Sequence, residues 1–319
     1  MNTLPRPVSH PLPAVLLPAA QAARGYIEAS RSASTRKAYA TDWQTFSVWC
    51  ADKGQTVLPA SPATVALFLA SEADRGMKAS TVTRRAAAIR FAHKLQGLPL
   101  PTDSAEVAEV LAGIRRVHGG APRRVAPATA DRLVLMLAGC GTDLRGLRDR
   151  ALLAVGFGGA FRRSELVAIR VEDIEDTAEG IRVTLPRSKT DQEGAGQVVP
   201  VLDGPRLRVK AAIAAWRAAA GIEDGYLFRS IAKAQSVQQR AITDRSVADI
   251  IKSRAKAAGL DPDQFSGHSL RAGFLTSAAS SGAGLFAMLT VSRHRSIETV
   301  RGYVRRAELF KDHAGSAFM

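Results

Sequence analysis

The sequence predicts a mainly α-helical protein in two parts: an N-terminal helical bundle, then an α+β block carrying one small β-hairpin. Three observations predict it. Apolar residues recur at helical spacing through residues 25–117. A basic stretch rich in Gly and Pro at 118–127, H-G-G-A-P-R-R-V-A-P, interrupts that pattern as a linker. Two β-branched runs, 181–185 and 198–202, flank a segment full of turn formers.

Residues 1–24 have a short apolar run, but Pro11, Pro13 and Pro18 break the helix a signal peptide needs, and Arg6 is the only base ahead of that run. They read as a flexible Pro-rich tail. From residue 34, Tyr39, Trp43, Phe46 and Cys50 share one helical face, with Ser34 or Thr35 as cap and Gly54 as stop. Ser61-Pro62 opens a second helix through Val65, Phe68 and Leu69. A third starts near Ser80, buries Val82, Ala86, Ile89 and His93 on one face, and stops at Gly97. A fourth runs from about Asp103 through Val107, Leu111 and Ile114. Arg84 and Arg85 lie off the apolar face; they and Arg115 and Arg116 read equally as phosphate contacts or as a solvated face. Arg123 and Arg124 suit a linker that crosses a phosphate backbone.

The second block, 128–319, opens with a helix capped at Thr129 and another from Asp143 to about Val155. Gly156, Gly158 and Gly159 are expected to bend the chain before a helix restarts at Ser164. The hairpin that follows carries Lys189 on a long basic tip. An Ala-rich helix spans about 205–220, and another runs from Thr243 to Ala258 and stops at Gly259. No nucleotide-binding glycine loop and no internal repeat is present.

The 44 basic residues exceed the 29 acidic ones, a formal +15. A polyanionic partner is the commonest reason for such an excess; a plain solubility charge is the other. Cys50 and Cys140 show neither C-x-x-C nor zinc spacing, as expected of two buried, reduced thiols in a cytoplasmic protein. No run reaches the roughly 18 apolar residues of a membrane span.

Breaking a phosphodiester without metal needs a nucleophile, cations on the non-bridging oxygens, a base and an acid. Residues 266–303 hold His268 three residues before Arg271, and His294 nine residues before Tyr303. Arginine matches phosphate bidentately, and a tyrosine can attack when neighbouring cations favour its phenolate.

On these motifs the chain resembles the tyrosine recombinase, or phage integrase, family. F-R-R-S-E-L resembles the family's first arginine motif, with the catalytic arginine at Arg162 and the bracing acid at Glu165. The basic hairpin tip places the catalytic lysine at Lys189. H-S-L-R-A-G-F supplies His268 and Arg271, and R-H-R-S-I-E-T-V-R-G-Y supplies His294 and Tyr303. The resemblance implies a SAM-like core-binding domain at 25–117 and an α+β catalytic domain at 128–319. It also implies that Arg162, Arg271 and His294 hold the scissile phosphate. Lys189 would protonate the leaving 5′-oxygen, His268 would assist proton transfer, and Tyr303 would form a 3′-phosphotyrosyl link. The ester retains the bond energy, so neither ATP nor a metal cofactor is implied. Implied partners are double-stranded DNA and three further copies, a homotetramer on two duplexes, with the protein cytoplasmic and nucleoid-associated when bound. Leu309, Phe310 and Phe318 would anchor a C-terminal tail docked in trans, or fold it onto its own domain. One departure stands out: Arg293 precedes His294 where the family usually has glycine, which adds a cation and predicts an altered turn. A type IB topoisomerase and a non-catalytic DNA-binding protein remain as alternatives.

Overall fold

The computed structural model describes residues 13–120, 125–185, 196–294 and 296–307. Lys189, Arg123, Arg124 and the tail from 308 lie outside them. The chain divides into two compact units, Met1–Pro122 and Arg123–Met319.

The first unit holds α1 (Leu17–Ala29), α2 (Ala33–Asp52), α3 (Pro62–Asp74), α4 (Ala79–Leu95) and α5 (Ala105–His118). The first corrects the tail reading for residues 17–24: Pro18 sits in the opening turn of α1, where no backbone N–H is required. Side-chain oxygens of Ser32, Ser61 and Ser104 cap α2, α3 and α5. Ser32, rather than Ser34 or Thr35, therefore starts α2. Phe46, Phe68, Leu69, Val82, Ile89 and Val107 are fully buried, and the Phe46 and Phe68 rings meet edge to face at 5.0 Å. His93 is a satisfied core residue: Nε2 accepts from the Ala60 N–H and Nδ1 donates to the Ile89 carbonyl.

Two buried carboxylates, Asp42 and Glu72, hold Arg84 and Arg85. Arg84 donates to both oxygens of Asp42, at 2.7 and 3.0 Å. Arg85 pairs with Glu72 and is only 13% exposed. The structure thus makes Arg85 a residue of the bundle interior, while Arg84 keeps half its surface. An uncompensated buried charge is expensive. Asp42→Ala removes two charge-assisted hydrogen bonds from a guanidinium that stays half exposed, and should cost about 1.5–3 kcal/mol, read from urea unfolding of the full chain followed by tryptophan fluorescence.

The second unit has α6 (Ala130–Ala138), α7 (Leu144–Gly158) and α8 (Arg163–Ala168), then β1 (Ile174–Asp176), β2 (Gly180–Leu185) and β3 (Gln197–Leu202). α9 (Val209–Ala220), β4 (Arg229–Ile231), β5 (Val237–Ala241) and α10 (Asp244–Ala257) follow, then α11 (Ser269–Ser280), α12 (Leu285–Ser292) and α13 (Ile297–Ala307). The hairpin β2–β3 pairs Gly180 with Leu202 through Leu185 with Gln197, and β1 adds an antiparallel edge. The β4–β5 pair has no strong sequence signal, because V-Q-Q-R-A is mostly polar and Arg229 is buried against Gln239.

α7 is the central helix, with Ala151 through Val155 fully buried and packed toward α9 and α11. Contrary to the expectation from sequence, Gly156 and Gly158 do not bend the chain but lie inside the helix, and Gly159 caps its end. A Cβ on Gly156 would meet Leu270 and Leu166 within 2.9 Å, so their role is close packing. Asp149 of α7 accepts from Arg254 of α10 at 2.6 and 2.9 Å, tying the two helices. Gly273 of α11 lets the segment entering α6 lie against it. A Cβ there would sit 1.9 Å from the Ala128 carbonyl oxygen, and Ala128 N–H donates to Ser269 O.

Candidate active site

Four segments converge. The α7–α8 turn brings Arg162 and Glu165; the start of α11 brings His268 and Arg271; the α12–α13 connection brings Arg293 and His294; α13 brings Tyr303.

Arg162 is the N-cap of α8, and Glu165 sits at its third position. The Glu165 carboxylate accepts from the Arg162 backbone N–H at 2.9 Å and from Arg162 Nη1 at 2.5 Å. This reciprocal cap binds the side chain to the helix that presents it. Arg163 is 44% exposed and lies over Gly267 toward Asp244, outside the hydrogen-bonded network that Arg162 joins through Glu165 and the Arg293 carbonyl.

Arg271 lies one turn into α11, 1% exposed. Its Nη1 donates to the Ala160 carbonyl at 2.7 Å. Ala160 itself adopts φ 45°, so the turn that carries Arg162 is aimed at Arg271. Nη2 of Arg271 lies 3.2 Å from His294 Nδ1. An arginine N–H can only donate, so Nδ1 accepts and the imidazole proton sits on Nε2. Ser292 Oγ lies 2.9 Å from the same Nδ1 and donates its own proton to the Met288 carbonyl at 2.6 Å.

Arg293, outside the set read from the family pattern, closes the network. It takes φ 56°, so it adopts the left-handed backbone that favours glycine instead of altering the turn. Its guanidinium donates to Glu165 Oε2 at 2.8 Å and to Gly159 O at 3.0 Å, and lies over the Phe161 ring. Its backbone carbonyl accepts from Arg162 Nη2 at 3.0 Å. The sequence signal for it was the cation beside His294.

His268 and Tyr303 line one cleft of about 430 Å³. The half-buried Tyr303 packs against the cluster of Leu275, Ala279, Met288 and Val300, which seats α13 on α11 and α12. Arg162, Glu165, Arg271 and His294 are thus joined in one hydrogen-bonded network through Arg293 and the Ala160 carbonyl, and the charges of His268 and Tyr303 act on its members. Among the described residues, no group of three or more His, Cys, Asp or Glu side chains is placed to hold a metal ion.

Charge follows geometry. Burial, then the charges of Arg271 and Arg162, push His294 down to about 3, so it is neutral at pH 7. Burial and the neighbouring Arg271, Arg163 and Arg162 also lower His268. Burial and the other guanidiniums push Arg271 down to about 9, still charged at neutral pH. For Glu165, burial works upward but loses to the Arg293 charge and the bonds from Arg162, so its pKa falls below the usual carboxylate range.

The His294 shift sets a pH dependence. In the unfolded chain the imidazole binds a proton below about 6.5, whereas the folded one stays neutral to about 3. The unfolded state therefore binds more protons in that window, and stability falls as pH falls through it. Urea unfolding at pH 7 and pH 5 should show a larger loss for the wild type than for His294→Gln. Equal losses would mean the imidazole is not held neutral.

Comparison with known proteins identifies the family. The phage integrase family matches residues 128–309, and the phage integrase N-terminal SAM-like domain matches 26–95. An integrase/recombinase XerD homolog of Selenomonas ruminantium is 39% identical over 298 residues, covering 92% of this chain and 87% of the relative. Recombinase Cre of Escherichia phage P1 is 25% identical, covering 83% and 82%. Among solved structures, XerH site-specific recombinase bound to palindromic difH substrate superposes with TM-score 0.66 at 15% identity, covering 88% of this chain and 78% of that one. A lambda integrase dimer bound to a COC' core site gives 0.58 at 16%, covering 90% and 95%. With over half its length matched by the catalytic-domain family and a relative at 39% identity along nearly all of it, the chain belongs to the phage integrase family of tyrosine recombinases.

Proposed function

We propose that the chain is a site-specific DNA recombinase that cuts and rejoins strands of double-stranded DNA through a 3′-phosphotyrosyl intermediate. The observation that carries this is the prebuilt Arg162–Glu165–Arg271–His294 network, with Tyr303 near enough for its charge to act on Arg271. Two fixed guanidiniums and an imidazole Nε2–H supply donors for the non-bridging oxygens before substrate arrives, so no reorganisation is needed as charge develops. Tyr303 Oη attacks phosphorus, its proton passing to His268, whose lowered pKa leaves it neutral at pH 7 and able to accept it. The bond to the 5′-oxygen breaks, and Lys189 protonates that oxygen. Attack by a 5′-hydroxyl on the phosphotyrosine reverses the step and frees Tyr303. The relatives named above are recombinases and an integrase, two of them solved with DNA, which supports the same substrate here.

Assembly as a homotetramer on two duplexes, with the tail carrying Leu309, Phe310 and Phe318 docked on a neighbour, belongs to the same reading. Its support is the family resemblance.

On a library of nicked duplexes, the wild type should form a denaturant-resistant covalent adduct whose sequencing identifies the target. Tyr303→Phe should form none while binding the same DNA, with affinity that falls steeply with salt. Arg271→Ala should slow adduct formation by roughly 100-fold or more. An adduct from Tyr303→Phe at the wild-type rate overturns the nucleophile. Truncation after residue 307 should preserve cleavage of one site and abolish pairing of two, read by gel filtration of the DNA complexes.

A further inference from the structure

Arg293 has no task in the chemistry above, yet it is the most heavily engaged side chain of the site. It is 5% exposed, so it does not reach a phosphate in the cleft. Its guanidinium bonds Glu165 Oε2, Gly159 O and Val291 O, and its own carbonyl holds Arg162 Nη2. It does so from a left-handed backbone that glycine would adopt more easily. A residue kept against that preference, with its charge buried, needs a compensating interaction. The compensation is the carboxylate of Glu165, itself 2% exposed.

The charge arithmetic of the pocket says what this does. Glu165 is bonded to two guanidiniums at once, those of Arg162 and Arg293. Without Arg293, the Glu165 charge would be balanced by Arg162 alone, and Arg162 would offer the phosphate little net charge. With Arg293 present, the three guanidiniums of the described site less one carboxylate leave two positive charges. A phosphodiester carries one negative charge, and its pentacoordinate transition state carries about two. The second positive charge therefore counts most when the phosphorus is being attacked.

We propose that Arg293 is a positioning residue that neutralises Glu165 from behind, and so leaves the Arg162 guanidinium free, and fixed in place, for the transition state. This rests on the strand-transfer reading of the site. It predicts an effect on the rate of cleavage rather than on DNA binding, and a dependence on the charge of Glu165.

The test is single-turnover adduct formation on a nicked duplex at saturating protein, beside DNA affinity and thermal midpoint, for Arg293→Gly, Arg293→Lys, Glu165→Gln and the double variant Arg293→Gly/Glu165→Gln. Arg293→Gly should fold, because glycine suits the left-handed turn. It should cleave on the order of 10- to 100-fold more slowly, with affinity changed less than about threefold. Arg293→Lys, which keeps the charge without the planar fork, should fall between the two. Glu165→Gln should slow the wild type but speed Arg293→Gly, since it removes the charge that Arg293 no longer balances. A purely structural role cannot produce that reversal. The proposal is overturned if Arg293→Gly cleaves within twofold of wild type, if Arg293→Lys is as slow as Arg293→Gly, or if Glu165→Gln slows both backgrounds. Should Arg293→Gly not fold, Arg293→Lys decides: slowed cleavage at unchanged affinity supports the proposal, and unchanged cleavage overturns it. Absence of any adduct from the wild type would instead sink the strand-transfer reading itself.

Discussion

Burying a carboxylate is costly unless its lone pairs and its charge are both met, and Glu165 shows how the site meets both. Arg162 satisfies it from the same helix, and Arg293 from a segment 128 positions away. Because one oxygen also accepts the backbone N–H that starts α8, the carboxylate fixes a helix, a turn and two guanidiniums together. The α7–α8 turn is held a second time through Ala160, whose carbonyl accepts from Arg271. The arginines of the site are thus held by protein acceptors in addition to any phosphate, which is what preorganisation requires.

The rest of the second unit maintains that arrangement. α7 is buried from Ala151 to Phe157 and carries the Gly159–Ala160 turn at its end. Gly156 lets Leu166 of α8 and Leu270 of α11 pack closely on it, so the helices bearing Arg162 and Arg271 share a wall. A small separate cluster, Leu275, Met288 and Val300, seats α13 and its tyrosine on α11 and α12. Tyr303 therefore depends on a thinner apolar contact than the arginines do. Such an element is suited to move between steps of a reaction.

Much of this was legible beforehand. Capping residues, Gly stops and i, i+4 spacing identified the long helices, because those signals are local. The motifs around Arg162, Arg271, His294 and Tyr303 were legible because their spacing within each segment is short. Other parts were not. The strand pair β4–β5 carries polar residues whose burial depends on partners far away, such as Arg229 against Gln239. Arg85 looked equally suited to phosphate and to solvent until Glu72 was placed beside it. Pro18 looked like a break until its position in the first turn of α1 was known.

The sequence by itself determined the kinds of groups available, the helices that carry them and the family to which their spacing belongs. These rest on local periodicity and on motifs shorter than a dozen residues. The tertiary structure decided which charges meet. Only folding puts Arg293 against Glu165, 128 positions apart, and Arg271 against His294, 23 apart. Protonation follows from those meetings: His294 is neutral because it is buried among guanidiniums, a fact no window of sequence contains. The departure at position 293, visible in the sequence as an extra cation, acquired its physical meaning only when its charge was found facing a carboxylate.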